Sequence, residues 1–282
     1  MVVSMTGVRS STVIVDGLRT HYLEAGQGYP VVLLHSGEYG ASATLSWEHN
    51  IAALAQHFRV LAPDWMGFGH SAKVYDFESG SARRVQHMRR LLDVLAVDQA
   101  HFVGSSMGGS VLSRHVAAGT GLFPASAMVM SAGGGFVPNN EWRRSIVDFD
   151  CTFDGMREIL SVLFHDPGWA QDDDYVQRRL DSALLPGAWE ATAAARFRSP
   201  VSPPRTAEGQ VDGTPYEDIA VPTFVVAGAE DKLRGPGYAD AIAARIPGAH
   251  LSVYAGCGHL PHIENAERFN DEVVEFLRAV PV

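Results

Sequence analysis

A chain of 282 residues, 46% of them apolar and 19% charged, holds enough apolar material for a sizeable core and exceeds the usual length of a small single domain. Its formal charge of -10 excludes the basic footprint that nucleic-acid binding needs and gives no attraction to anionic membranes. No apolar run approaches the roughly 20 residues that span a bilayer, no basic-then-apolar leader opens the chain, and Cys151 and Cys257 lie too far apart for a metal-binding or redox spacing, so a cytoplasmic protein is expected.

Asp16-Gly17 between residues 12–15 and 19–24 is a hairpin signal, so the chain opens with an antiparallel pair. Residues 31–34 form an apolar run after Pro30 and read as a buried parallel strand ending in His35-Ser36-Gly37-Glu38-Tyr39-Gly40. Leu45, Ile51, Leu54 and Phe58 predict a helix over 45–58, followed by a strand over 59–62 that Pro63 closes. After a glycine-bearing loop over 64–71, Val85, Met88, Leu91, Leu92 and Leu95 recur at helical spacing, and Arg83, Arg84, Arg89 and Arg90 read as the solvated face.

The apolar run at 100–103 leads into Gly104-Ser105-Ser106-Met107-Gly108-Gly109 and then a helix-compatible run over 110–118. This is Gly-x-Ser-x-Gly in a strand–turn–helix setting, the context in which a serine is thrust from a sharp turn as a nucleophile. Read alone, the motif is also compatible with a plain glycine-rich turn. Small residues at Gly104 and Gly108 let strand and helix close up, and the following helix start offers amide hydrogens to a developing oxyanion. A further strand is predicted over 127–130.

From 136 to 217 the alternation stops. Phe153, Met156, Ile159, Leu160, Leu163 and Phe164 make a helical stripe, Asp172-Asp173-Asp174 begins another helix that runs through 175–185, and Pro200, Pro203, Pro204 and Gly209 mark loops. The reading is a helical lid over 136–217 inserted into a core domain of 1–135 and 218–282. Sheet rhythm returns at 221–227, followed by Gly228-Ala229-Glu230-Asp231, a helix over 238–246, a strand over 249–254, the Cys257-Gly258-His259 loop and a last helix over 266–279. The class is α/β, with a mostly parallel, doubly wound sheet.

Ligands of open α/β sheets sit outside the carboxyl ends of the strands, where the loop after 34, Ser106, Asp231 and His259 all fall. Their order is Ser, Asp, His, as in one of the known triad arrangements. His259 is the expected base for Ser106, and Asp231 the acid that orients it, with Glu230 as the alternative. The amides of Met107 and Gly37 are the expected oxyanion hole. Glu38 beside that donor should turn away or bind a donor of its own. His35 is expected to brace its loop.

The residues resemble the α/β-hydrolase superfamily, and within it the meta-cleavage-product hydrolases, serine enzymes that hydrolyse a carbon–carbon bond of 2-hydroxy-6-oxo-dienoates from aromatic degradation. The resemblance runs over nearly the whole chain: Leu33-Leu34-His35, Ala62-Pro63-Asp64 with Gly67-Phe68-Gly69, His101 to Gly104, Ser106 to Gly109, Cys257-Gly258-His259, Glu264, Ala266 and Phe269-Asn270. It implies the α/β-hydrolase fold, no cofactor and no metal. It also matches Arg179 of Gln177-Arg178-Arg179 to the arginine meeting the substrate's dienoate end, with Arg178 as the next choice. The chain departs from the family's pattern at Ser36, at Glu38-Tyr39, at Ser105 before the nucleophile and at Leu260 after the histidine, so Ser105, Glu38 and Leu260 join Arg179 as substrate-binding candidates.

Three functions stay open: carbon–carbon hydrolysis, hydrolysis of small carboxylic esters including half-esters with a free carboxylate, and ligand reception on a hydrolase fold with little turnover. The lid aromatics Trp142, Phe153, Trp169 and Trp189 are candidates for shaping the pocket. The expected partners are a small-molecule substrate and at most a second copy of the chain as a homodimer; neither nucleic acid nor a membrane is expected.

Overall fold

The computed structural model describes residues 7–77, 81–194 and 209–281. The first hairpin pairs β1 (Arg9–Val15) with β2 (Leu18–Ala25) across Asp16 and Gly17, whose φ values of 48° and 79° are those of a type I′ turn. Strands β3 (Pro30–Leu34), β4 (Arg59–Pro63), β5 (Ala100–Ser105), β6 (Ala125–Ser131), β9 (Thr223–Gly228) and β10 (His250–Tyr254) complete one eight-stranded sheet in the order β1-β2-β4-β3-β5-β6-β9-β10. From β4 to β10 every neighbouring pair is parallel. The fold class read from the sequence is the one observed.

Alternation along the strands sets the layers. Val32 and Leu34 of β3 and Phe102 of β5 face one apolar layer, shared with Val85, Met88, Leu91 and Leu92 of α3 (Ala82–Val94) and Leu112 of α4 (Met107–Ala117). Val31, Leu33 and Val103 face the other, closed by Trp47 of α1 (Ala43–Trp47), Ile51 and Leu54 of α2 (Ile51–Leu54), and Phe269, Val273 and Leu277 of α12 (Ala266–Arg278). Cys257 packs in this second layer.

The helix expected over 45–58 is two short ones. Between them Glu48 is buried beside Arg178, and Asn50 Nδ2 donates to His262 O at 2.9 Å and to Asn270 Oδ1 at 2.8 Å. Those tertiary bonds outweigh helical continuity.

Between β6 and β9 the chain runs through β7 (Val137–Pro138), α5 (Glu141–Val147), α6 (Phe153–Leu163), α7 (Gly168–Gln171), α8 (Asp173–Ala183), α9 (Ala188–Ala194) and β8 (Gly209–Gln210). Asp172 caps α8 by accepting from Tyr175 N at 3.1 Å, as its sequence suggested. The two-residue β7–β8 pair had no sequence signal. Pro200, Pro203 and Pro204 lie outside the described residues. These helices have a core of their own, with Met156, Ile159, Leu160, Leu163, Phe164 and Tyr175 fully or nearly fully buried. After β9 come α10 (Tyr238–Ala243), β10, α11 (Pro261–Glu264) and α12.

Candidate active site

Ser106 lies between β5 and α4 with φ 49° and ψ -108°, a backbone that serine keeps only where its surroundings hold it. Its amide donates to Ser131 O at 2.8 Å, and its carbonyl accepts from Ser110 N and Oγ, each at 2.9 Å. A Cβ on Gly108 would stand 2.2 Å from Leu34 O, and one on Gly104 would stand 2.6 Å from Gly109 N. Only glycine lets β3, β5 and α4 converge here.

His259 Nε2 lies 2.7 Å from Ser106 Oγ, and His259 Nδ1 lies 2.7 Å from Asp231 Oδ2. With Nδ1–H given to the carboxylate, Nε2 is the acceptor for the serine proton; this tautomer is inferred from the bonding network. The imidazole and carboxylate are both nearly fully buried. Burial pushes the Asp231 carboxyl up, but the His259 charge and hydrogen bond, the Leu233 amide and the nearby Arg234 outweigh it and hold the group below its ordinary value. Glu230 sits elsewhere, accepting from Cys257 N at 3.1 Å.

The His259 loop is tied down on the side of the inserted helices. His259 N donates to Leu163 O at 2.7 Å, at the end of α6. Glu264 accepts from Gly258 N at 2.5 Å, His165 N at 2.7 Å and Asp166 N at 2.9 Å.

Met107 is the first residue of α4, so its amide has no acceptor within its own helix. Gly37 packs against it, since a Cβ there would stand 2.7 Å from Met107 Sδ. The loop carrying Gly37 is braced by His35. Its Nε2 accepts from Trp65 N at 3.0 Å, its Nδ1 donates to Ser36 O at 2.7 Å, and its carbonyl accepts from Trp65 Nε1 at 3.0 Å. Burial pushes the His35 ring below its ordinary value, in keeping with a neutral ring that donates at one nitrogen and accepts at the other. Gly37, Met107, Ser106 and His259 all border one cavity of about 370 Å³, a volume suited to a small organic ligand.

The substrate-binding candidates fare differently. Glu38 borders the cavity and does bind donors: its Oε1 accepts from Ser36 Oγ at 2.9 Å and from Arg179 Nη1 at 2.8 Å. Arg179 is fully buried, its other nitrogens donating to Tyr175 Oη at 3.1 and 2.9 Å, and it does not reach the cavity wall. Its guanidinium is therefore matched by this chain's own carboxylate rather than held open for a substrate's. Arg178 is no substitute, being half-exposed and paired with Glu48. Ser105 and Leu260 are fully buried and also lie off the wall, Ser105 inside the sheet and Leu260 in the core of the inserted helices. Trp142, Phe153, Trp169 and Trp189 do not border the cavity either. The last three pack against the inserted helices' own core.

Sequence reasoning missed four arginines on the wall, Arg84, Arg114, Arg143 and Arg234. Arg84 belongs to the run read as solvated, yet it donates to Met66 O and Ala191 O, each at 3.1 Å. Arg234 could have been found from its place three residues after Asp231. Among the described residues, no cluster of three or more His, Cys, Asp or Glu is arranged to hold a metal ion.

A family model described as the alpha/beta hydrolase family matches residues 31–272. The chain is 30% identical over 269 residues to a 2-hydroxymuconate semialdehyde hydrolase of Pseudomonas sp. (strain CF600), covering 94% of this chain and 92% of that protein. It is 33% identical over 270 residues to the 2-hydroxy-6-oxo-6-(2'-aminophenyl)hexa-2,4-dienoic acid hydrolase of Metapseudomonas resinovorans, covering 93% and 88%. Its fold superposes with a TM-score of 0.83 on a meta-cleavage product hydrolase from Pseudomonas fluorescens IP01, 25% identical over 96% of this chain and 98% of that one.

Proposed function

The chain belongs to the alpha/beta hydrolase family, and from that premise we propose that it is a serine hydrolase cleaving the carbon–carbon bond next to the ketone of a 2-hydroxy-6-oxo-dienoate-like compound. The observation that carries the reading is the unbroken run from Ser106 Oγ through His259 to Asp231, with both links at 2.7 Å, opening on the cavity.

In this reading His259 takes the Ser106 proton as the oxygen attacks the carbonyl, and the amides of Met107 and Gly37 hold the oxyanion. Collapse of the adduct breaks the carbon–carbon bond, and His259 returns the proton to the departing carbon. Water activated by the same imidazole then frees the acyl group, while Asp231 keeps the ring oriented and stabilises its charged form. Helices α5–α9 act as the lid, part of a segment from 136 to 217, and exclude bulk water. A cytoplasmic location belongs to the same reading; Cys151 and Cys257 are free thiols, and no described helix is long and apolar enough to cross a membrane.

A second reading, hydrolysis of small carboxylic esters, is favoured by one observation: the guanidinium that the resemblance matches to the dienoate end is taken by Glu38. The deciding experiment compares kcat/KM for a 2-hydroxy-6-oxo-dienoate, followed by loss of its colour, with a panel of aryl esters and half-esters, using Ser106→Ala as blank. A dienoate preference of several orders of magnitude supports the first reading. An ester preference replaces it with the second.

A further inference from the structure

Arg234 lies on the opposite side of the nucleophile from Glu38 and Arg179. The sheet order sets this. Glu38 follows β3, Ser106 follows β5, and Arg234 Nη2 donates at 3.0 Å to Ala132 O, which follows β6 on the far side of β5. Arg234 borders the cavity yet is only 7% exposed. Its Nε and Nη1 are buried and find no hydrogen-bond partner among the described residues. The Tyr238 ring, off the cavity wall, lies against the guanidinium with its centre 5.6 Å from the guanidinium carbon.

The nearby carboxylate, Asp231, has its oxygens on His259 Nδ1 and Leu233 N, so it attracts Arg234 through space without bonding it. A guanidinium buried with two idle donors is costly unless an anion completes it. Charge-assisted hydrogen bonds from Arg to a carboxylate are among the strongest a site can make. Arg114 and Arg143 add positive charge to the same wall, while of its two carboxylates Glu38 is already met by Arg179 and Asp212 accepts from the Gly135 amide, Thr214 and the Tyr216 hydroxyl.

We propose that Arg234 binds an anionic group, a carboxylate, at the end of the substrate remote from Glu38. The preferred substrate then carries an acid group on the β6 side of its scissile carbonyl. This rests on the serine-hydrolase reading above and narrows its substrate class.

The test measures kcat/KM on two matched pairs of probes. One pair is two 2-hydroxy-6-oxo-dienoates whose C6 side ends in a carboxylate or in a methyl group. The other is the 4-nitrophenyl half-ester of glutarate beside 4-nitrophenyl pentanoate. The readout is the ratio within each pair, for the wild type, Arg234→Met and Arg234→Lys. The wild type should prefer the acid-bearing member by roughly tenfold to a hundredfold, mostly through KM; Arg234→Met should bring the ratio near one, and Arg234→Lys should restore part of it. Equal losses on both members of a pair overturn the proposal, because Arg234 then acts only through Asp231. Cleavage of both dienoates with a ratio indifferent to Arg234 also overturns it and leaves the carbon–carbon reading standing. If folded wild type ignores the dienoates while the half-ester ratio follows Arg234, the carbon–carbon reading fails and the anion subsite is supported.

Discussion

Glu38 and Arg179, 141 residues apart in the chain, meet at 2.8 Å as an ion pair with side-chain exposures of 5% and 0%. Ser36 donates to the same carboxylate oxygen. Two departures from the family's pattern, at 36 and 38, are therefore one local arrangement: a buried acid and the hydroxyl that helps to hold it. Removing one partner strands the other charge. Glu38→Gln should lower unfolding free energy by about 3–5 kcal/mol, whereas Glu38→Leu with Arg179→Met should recover most of the loss. Urea titration of the three proteins checks this, and a single variant indistinguishable from wild type would sink it.

Ser106→Ala should reduce kcat by about 10⁶-fold in a protein that still unfolds cooperatively. Asp231→Asn should cost about 10⁴-fold by leaving His259 in the wrong tautomer. Glu230→Gln should cost far less, because Glu230 holds the Cys257 amide rather than the imidazole. Steady-state rates on one substrate suffice, and comparable losses at 230 and 231 would reject the assignment of Asp231.

Acid should destabilise the fold in two windows. His262, fully buried and packed against Trp47, is pushed by burial and then by the charges of Arg179 and His259 from 6.5 down to about 3. Below 6.5 the unfolded ring takes up a proton that the folded ring refuses, so stability falls between about 6.5 and 3. Asp64 accepts from His21 Nδ1, Ala43 N and His70 N; these bonds outweigh a burial effect that pushes it up and hold it at about 2, against 3.8 when free. Its contribution is complete above 3.8 and is lost as pH falls through about 2. Each proton costs about 1.4 kcal/mol per pH unit inside its window. Denaturant midpoints between pH 8 and 4 should therefore fall for the wild type and fall less steeply for His262→Phe; parallel slopes would refute the assignment.

Glu264 touches no reacting atom but positions the loop that bears His259. Glu264→Ala should lower kcat by about tenfold or more with a smaller change in KM, and Glu264→Gln, which keeps an acceptor oxygen, should recover part of it. An effect confined to thermal stability, with kcat intact, would show the clamp to be purely structural.

Much of this is legible in the sequence. Period-two and buried apolar runs located the main strands, and strand ends located Ser106, Asp231 and His259, because an open parallel sheet gathers its carboxyl-end loops at one edge. What the sequence hid was pairing across long separations. Nothing local at Glu38 announces a partner at Arg179, and nothing in the arginine run of α3 separates the cavity-facing Arg84 from its solvated neighbours. The broken helix at 48–50 has the same cause, since the groups that break it arrive from residues 178, 262 and 270.

The amide of His259 is bonded to the last carbonyl of α6, and Glu264 staples the adjoining loop to the two residues at 165 and 166. A swing of that helix away from the sheet must therefore either break these bonds or drag the imidazole with it. The reach of the imidazole toward Ser106 is thus anchored outside the sheet domain, in the register of a helix that belongs to the inserted segment.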